Sequence, residues 1–368
     1  MRLRGRVVTP EGVLDDAVVR IEDGRIADVA PAGRSRLAAS AAWILPGFVD
    51  IHVHGGGGHT FTTGDAETAR QAAEFHRRHG TTTMLASLVT ATRQETYDAT
   101  AALAELVHSG ELAGVHLEGP YLSAARCGAH NPAHLRDPEP AELAALIDLG
   151  VVRTVTIAPE LPGALSAIRQ LRARGVVAAV GHTDATYEQT WAAVEAGASL
   201  ATHLCNAMRP VHHRDPGPIV ALLSAPSVVC EQIADGVHLH DGMLRHVVQA
   251  AGPARVALVT DAMAAAGMAD GRYDLGGQEV RVTGAVARLA ASGTIAGSTL
   301  TMDAALRRAV HSGLSMLDAS TMASTTPARV LGLADRGAIA VGRRADLVLL
   351  DDAVTVTGVI RDGLPVVE

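Results

Sequence analysis

Cysteine is nearly absent: Cys127, Cys205 and Cys230 are the only three in 368 residues. They are too few and too scattered for a disulfide framework or a CxxC zinc site. Long apolar runs are missing too. No stretch reaches the roughly 18 apolar residues that crossing a bilayer requires, which argues against a membrane-spanning protein. The opening "MRLRGRVVTPEG" is polar and alternating, without the apolar centre of a signal peptide. Basic clusters are lacking as well, with 31 Lys and Arg against 39 Asp and Glu and a formal net charge of −8. That balance leaves no electrostatic footprint for nucleic acid or an anionic membrane surface. Aromatics make up only 2% of the chain, and Ala and Gly are abundant. The reading is of a cytoplasmic globular protein, long enough for one large domain and a small one.

What the chain has in excess is histidine, 17 in all. Several stand at the ends of short apolar runs. Such runs recur at "GFVDIHVH" (47–54), "TTTMLASL" (81–88), "GVHLEGP" (114–120) and "VRTVTIAPE" (152–160). Four more follow at "VVAAVGHTD" (176–184), "LATHLCNAM" (200–208), "VVCEQIADGVH" (228–238) and "RVALVTDAM" (255–263). Ala-rich segments with helical spacing, such as "DAETARQAAEFHRRHG", separate most of them. Strands alternating with helices eight times predict a (β/α)8 TIM-like barrel, with a doubly wound sheet as the rival.

Both ends of the chain read differently. "RLRGRVV" and "DAVVRIEDGRIADVA" at the start, and "ADLVLLD" and "VTVTGVIRDGLPVVE" at the finish, are short strands with Asp-Gly turn signals. They predict a small β-sandwich domain built from residues 1–45 and 336–368, with the barrel over 46–335. After the eighth run, "GRYDLGGQEVRVTGAVARLAASGTIAGSTLTM" reads as an inserted hairpin region returning to a helix.

Residues able to bind metal gather at the C-terminal ends of the barrel runs. His52 and His54 end the first, Glu118 the third, His182 the fifth, His203 the sixth and Asp261 the eighth. Each has an ordinary alternative by itself: a hydrogen-bonded histidine, a salt-bridging glutamate, a helix-capping aspartate. Their shared position is hard to explain by packing, because these strand ends converge on the face where barrel active sites lie. Residues i and i+2 of a strand point the same way, so His52 and His54 can both face the axis. His and carboxylate donors suit Zn2+, Fe2+ or related divalent ions.

The pieces "PGFVDIHVHG", "GVHLEGPYL", "GAHNP", "TIAPE", "GHTDAT", "ATHLCNAM", "ADGVHLH", "LVTDAM" and "IAGSTLTM" run in order from residue 46 to 302, and "GRRADLVLLD" follows near the end. In these the chain resembles the amidohydrolase superfamily and, within it, the N-acetylglucosamine-6-phosphate deacetylases. "HxH" alone carries only the superfamily; "HLEGP" followed by "GAHNP", "THLCNAM" and "ADGVH" is far more specific. The resemblance implies that a metal-activated water hydrolyses N-acetyl-D-glucosamine 6-phosphate to glucosamine 6-phosphate and acetate. N-acetylgalactosamine 6-phosphate is the nearest competing substrate. Cyclic-amide hydrolysis is disfavoured because the fourth run closes on "TIAPE" without a lysine. A non-catalytic scaffold that keeps the fold is the remote alternative.

The same resemblance implies the site. Glu118, His182 and His203 match the principal metal ligands, with His52 and His54 able to hold a second ion bridged through Glu118. One or two ions are expected, Zn2+ first, with Fe2+ or another divalent ion as alternatives. Asp261 matches the general base and acid, and His130 the group that hydrogen-bonds the acetyl carbonyl. Ala129, Asn206, Ala207 and His238 match sugar-phosphate contacts. Ile295, Ala296 and Gly297 match a segment that meets the sugar ring through backbone. Arg214 matches an arginine reaching the neighbouring subunit's phosphate, which implies a homodimer. Cys127 stands where relatives often carry Lys and has no assigned role, and neither has His59. Cys205 reads as packing. The four glycines after His54 are expected to fit closely over the site, where larger side chains would crowd metals and sugar.

Overall fold

The computed structural model describes residues 1–33 and 37–366. The eight apolar runs form parallel strands: β1 (Phe48–Asp50), β2 (Thr81–Val89), β3 (Gly114–Glu118), β4 (Val152–Ile157), β5 (Val177–Val180), β6 (Leu200–Ala201), β7 (Val229–Ile233) and β8 (Val256–Val259). They hydrogen-bond in that order in one sheet. The strands are buried almost throughout, as parallel strands covered by helices must be. The sheet closes just beyond the ends of β1 and β8. There the Asp261 N–H donates to the His52 carbonyl at 2.8 Å, and the His54 N–H donates to the Ala262 carbonyl at 2.8 Å. Below this seam the buried Asp50 carboxylate accepts from the Thr260 hydroxyl at 2.5 Å and from the His52 N–H at 3.2 Å. The barrel expectation holds, and the doubly wound rival falls.

The strands are shorter than the apolar runs. In β5, β6 and β8 the chain leaves the ladder because His182, His203 and Asp261 adopt left-handed backbone, with φ of 46°, 27° and 49°. Such conformations are costly for residues with a Cβ and concentrate where function requires them. All three swing their side chains into the barrel mouth.

The first Ala-rich segment is helix α1 (Ala66–Arg78). Asp65 caps it by accepting from the Thr68 N–H, and His76, Arg77 and Arg78 sit at its negative end. Ala69, Ala72, Ala73 and His76 form its buried stripe, at the three-to-four residue spacing of one helix face. The glycine loop after β1 is built against this helix. A Cβ on Gly56 would lie 2.5 Å from Phe75 Cδ1 and 2.6 Å from His76 Nε2. The crowding that demands glycine there therefore comes from α1, not from metals and sugar as the sequence suggested.

The two ends of the chain meet in one seven-stranded sheet. It runs in space through Leu364–Pro365, Val356–Arg361, Leu347–Leu350, Trp43–Pro46, Arg2–Thr9, Gly12–Glu22 and Arg25–Pro31. The sheet curls over, so that turns near its opposite edges touch: a Cβ on Gly363 would lie 2.7 Å from Gly24 Cα. Val7, Val19, Ile21, Ile44, Leu347 and Ile360 fill the space enclosed. The insertion after β8 is a three-stranded antiparallel sheet, Gly271–Leu275, Gln278–Thr283 and Val286–Leu289, followed by the helix Met302–His311. Among the described residues no helix is long and apolar enough to cross a membrane.

Candidate active site

Glu118, at the end of β3, is the centre of the barrel mouth. Its Oε1 lies 3.1 Å from His182 Nε2, 3.0 Å from His203 Nε2 and 3.4 Å from His52 Nε2. Its Oε2 lies 3.2 Å from both His54 Nε2 and His130 Nε2. Asp261 Oδ1 stands 3.2 Å from His54 Nε2 and 3.5 Å from His52 Nε2. Five imidazoles and two carboxylates thus converge, all buried.

Hydrogen bonds at the far side of four of the five rings assign where the proton sits; His203 Nδ1 has no hydrogen-bond partner among the described residues. His182 Nδ1 donates to the Arg126 carbonyl at 2.9 Å, His54 Nδ1 to the Ser87 carbonyl at 3.1 Å, and His52 Nδ1 to the Glu231 carboxylate at 3.0 Å. Each of these rings therefore turns the Nε2 lone pair inward. His130 is the reverse. Its Nδ1 accepts from the Thr90 backbone N–H at 3.2 Å, so Nε2 carries the proton and points at Glu118. His130 falls geometrically within a ligand cluster with Glu118 and His182. Its inward N–H makes it a hydrogen-bond donor and not a ligand.

The donor set fits a metal centre. His182 Nε2 and His203 Nε2 stand 3.1 Å apart, and His52 Nε2 and His54 Nε2 stand 3.2 Å apart. In-facing imidazole nitrogens at that separation need a shared proton or a metal ion between them. Two such pairs flank one carboxylate that reaches both, and His52, His54 and Asp261 form a cluster of their own. Electrostatics point the same way. Burial by itself would lower His52 and His54, but Glu118 and Asp261 reverse the effect and lift both, His54 to about 9. Burial would likewise raise Glu118 and Asp261, yet the histidines around them hold both well below the usual carboxylate range. The pocket attracts cationic charge, and nitrogen and carboxylate donors of this kind take divalent metal ions. Burial pushes His130 down to about 4, so it stays a neutral donor.

A cavity of about 380 Å³ opens above this cluster. Ala129, Asn206, Ala207, His238, Ile295 and Gly297 line it, together with His54, Glu118, His130, His203 and Asp261. His238 Nδ1 donates to Asp235 at 2.7 Å. Burial opposes charging His238, but that carboxylate raises it above an ordinary histidine. Ala296 differs from its two neighbours. It is fully buried and packs in the insertion's own core with Met263 and Val280, so only its neighbours face the cavity. Arg214 is exposed, hydrogen-bonds His213 Nε2 at 2.7 Å, and does not line the cavity of its own chain. Cys127 is half-buried and is also outside the lining, although Arg126 and Gly128 on either side belong to it. Cys205 packs against the main core, as read from sequence. His59 pairs with Gly56 in a two-residue ladder.

Some contributors escaped sequence reasoning. Arg126 lines the cavity, and Asp184 holds its Nε at 2.9 Å. Val89, Leu275 and Thr294 complete the walls. Glu231 holds His52. The signal for Glu231 was present: a carboxylate in the apolar run "VVCEQI" must find buried partners.

Comparison with known proteins agrees with this geometry. The amidohydrolase family model matches residues 43–366. An N-acetylgalactosamine-6-phosphate deacetylase of Escherichia coli O157:H7 is 40% identical over 359 residues, spanning 95% of each chain. An N-acetylglucosamine-6-phosphate deacetylase of Lysinibacillus sphaericus is 34% identical over 372 residues, spanning 97% of this chain and 95% of the relative. Among solved structures, an aspartate-to-alanine mutant of N-acetyl-D-glucosamine-6-phosphate deacetylase from Mycobacterium smegmatis, bound to N-acetyl-D-glucosamine 6-phosphate, superposes with a TM-score of 0.97. It shares 47% identity, and the match covers 100% of this chain and 99% of that one. With the family model spanning nearly the whole chain and these relatives matching end to end, the chain belongs to the amidohydrolase family.

Proposed function

We propose that the protein hydrolyses N-acetyl-D-glucosamine 6-phosphate to D-glucosamine 6-phosphate and acetate, with a divalent metal ion as cofactor. The observation that carries this reading is the opposition of His130 and Asp261 across Glu118: a neutral N–H donor on one side and an ionised carboxylate on the other, both beside the metal donors. Relatives with that activity support it.

When bound, the ion polarises the amide carbonyl and lowers the pKa of a water molecule. Asp261, held ionised, accepts the proton that water loses as it adds to the carbonyl carbon. His130 Nε2–H donates to the carbonyl oxygen as negative charge develops there. Asp261 then returns the proton to the sugar nitrogen as the C–N bond breaks, because an amine anion is a poor leaving group. Glu118, His182 and His203 would be the main ligands in this scheme, and His52 and His54 would hold a second ion. Zn2+ is the first candidate on donor chemistry, with Fe2+ as the alternative.

The phosphate end uses Asn206, the Ala207 backbone and His238, whose raised pKa suits a dianion. Ala129, Ile295 and Gly297 flank the sugar. Arg214, free of its own cavity, is proposed to cross a homodimer interface to the partner's phosphate, where its planar fork makes charge-assisted bonds. The chain is read as cytoplasmic. Free amine released from the substrate by the metal-loaded protein tests the proposal; no release above a metal-stripped control would sink it.

The 40% identical N-acetylgalactosamine-6-phosphate deacetylase favours a second reading, in which the C4 epimer is preferred. The ratio of kcat/KM for the two sugar phosphates decides between them.

A further inference from the structure

Glu231 lies midway along β7 and has no part in the chemistry above. It is fully buried, and a buried carboxylate is destabilising unless it is paired. Its Oε2 receives two hydrogen bonds: from His52 Nδ1 at 3.0 Å and from the His203 backbone N–H at 3.0 Å. Its Oε1 has no hydrogen-bond partner among the described residues. One oxygen therefore ties β1 to the left-handed turn after β6, reaching across the mouth of the barrel.

Among the described residues no other carboxylate meets the outward nitrogen of a proposed ligand histidine; of His52, Asp50 reaches only the backbone N–H. His116 lies edge-on to His52, ring centroids 4.6 Å apart, but its nitrogens are engaged by the Ser87 and Thr156 hydroxyls at 2.9 Å each. His54 is oriented by a backbone carbonyl, which no side-chain change removes. Among the described imidazoles proposed as metal ligands, His52 alone owes its proton position to a carboxylate. Charge adds a second argument. Two divalent ions bring four positive charges, and Glu118 and Asp261 offset two; Glu231 is the next carboxylate in contact with the cluster.

We propose that Glu231 is a positioning residue that makes the second metal ion bind, by holding His52 as an Nε2 ligand and by supplying negative charge beneath it. This rests on the reading of His52 and His54 as ligands of a second ion. Carboxylates behind ligating histidines characteristically raise ligand basicity and fix ring orientation, and their removal weakens metal binding about 10- to 100-fold.

The test is a Zn2+ titration in chelator-buffered solution, with bound metal counted by elemental analysis, on wild type, Glu231→Gln, Glu231→Met and His52→Ala. Wild type should bind two ions. Glu231→Gln should need about tenfold more free Zn2+ for the weaker ion, Glu231→Met more still, and His52→Ala should lose that ion. The tight ion should change little in the glutamate variants. Equal loosening of both ions, or an unchanged two-ion isotherm in both variants, overturns the role of Glu231 while leaving the two-ion reading intact. A wild-type protein that binds one ion, indifferent to His52→Ala, overturns both. Should the variants fail to fold, 15N spectra of the histidine-labelled wild-type Zn2+ protein decide the matter. His52 protonated at Nδ1 supports the inference; protonation at Nε2 overturns it.

Discussion

His130 and His182 meet edge to face against the same carboxylate, ring centroids 4.6 Å apart and planes 86° apart, and carry their protons on opposite ring nitrogens. A backbone N–H dictates one arrangement and a backbone carbonyl the other. The two residues should therefore fail differently when removed. His130→Ala should keep its metal and lose about 10²- to 10³-fold in kcat, the usual loss for an oxyanion donor. His182→Ala should lose metal at the principal site. Elemental analysis beside steady-state kinetics checks the pair; metal loss in His130→Ala would return that residue to the ligand set.

Asp261→Asn keeps the side chain's shape and removes its proton acceptor. Turnover should fall by about 10²- to 10⁴-fold, the range for removing a positioned base, with KM within a few-fold of wild type. Since Oδ1 touches both His52 and His54, the weaker ion should loosen while the Glu118–His182–His203 ion stays. Near-normal kcat would remove Asp261 from the mechanism.

His238 offers a pH signature. Asp235 raises its pKa against the opposing pull of burial, and Asp261 and His52 are the other charges acting on it. The imidazolium is present below that raised pKa and is lost as pH rises through it. Phosphate affinity should weaken over the same interval. In Asp235→Asn burial prevails, so the alkaline limb of kcat/KM should move to lower pH and KM at pH 7 should rise. A limb that stays in place would separate His238 from phosphate binding.

Arg214 is open to a complementation experiment. Arg214→Ala should raise KM, and Asp261→Asn should be inactive. In a mixed dimer, the Arg214→Ala subunit retains its own Asp261 and receives an arginine from its partner. Random exchange of equal amounts should restore about a quarter of the wild-type sites. No recovery on mixing, with exchange shown by mass spectrometry, would place Arg214 back among solvated loop charges.

Gly56→Ala puts a methyl group against Phe75 and His76. Overpacking of this kind costs about 1–3 kcal/mol. Denaturant unfolding should register that loss while KM for substrate changes little, because the crowded side of the loop faces α1. A rise in KM with undiminished stability would restore the idea that this loop is shaped by the substrate.

The barrel was legible because buried parallel strands and amphipathic helices have different hydrophobic periods, and because the ligands fall where strands end. His52, His54 and Glu118 needed only the alternation of a strand to be placed. His182, His203 and Asp261 were located but not oriented, since a left-handed φ at a residue with a Cβ leaves no local mark in sequence. Ala296 turns its side chain inward while its neighbours line the cavity, and a three-residue backbone contact does not reveal in sequence which member does so. Arg126 reads as one more loop charge until Asp184 is seen to aim it. Tautomers were beyond reach altogether: each depends on a partner distant in the chain, such as Thr90 for His130 or Glu231 for His52.

The seam that closes the barrel also spaces its chemistry. Asp261 gives its N–H to the His52 carbonyl, and His54 gives its N–H to the carbonyl of Ala262, so base and histidine pair are adjacent rungs of one ladder. Their separation is set by backbone hydrogen bonds just beyond the ends of β1 and β8, with Asp261 turned by its left-handed φ of 49°. The insertion returns to this seam at Ser298, whose N–H donates to the Asp261 carbonyl at 2.7 Å, so the segment that walls the cavity also braces the base.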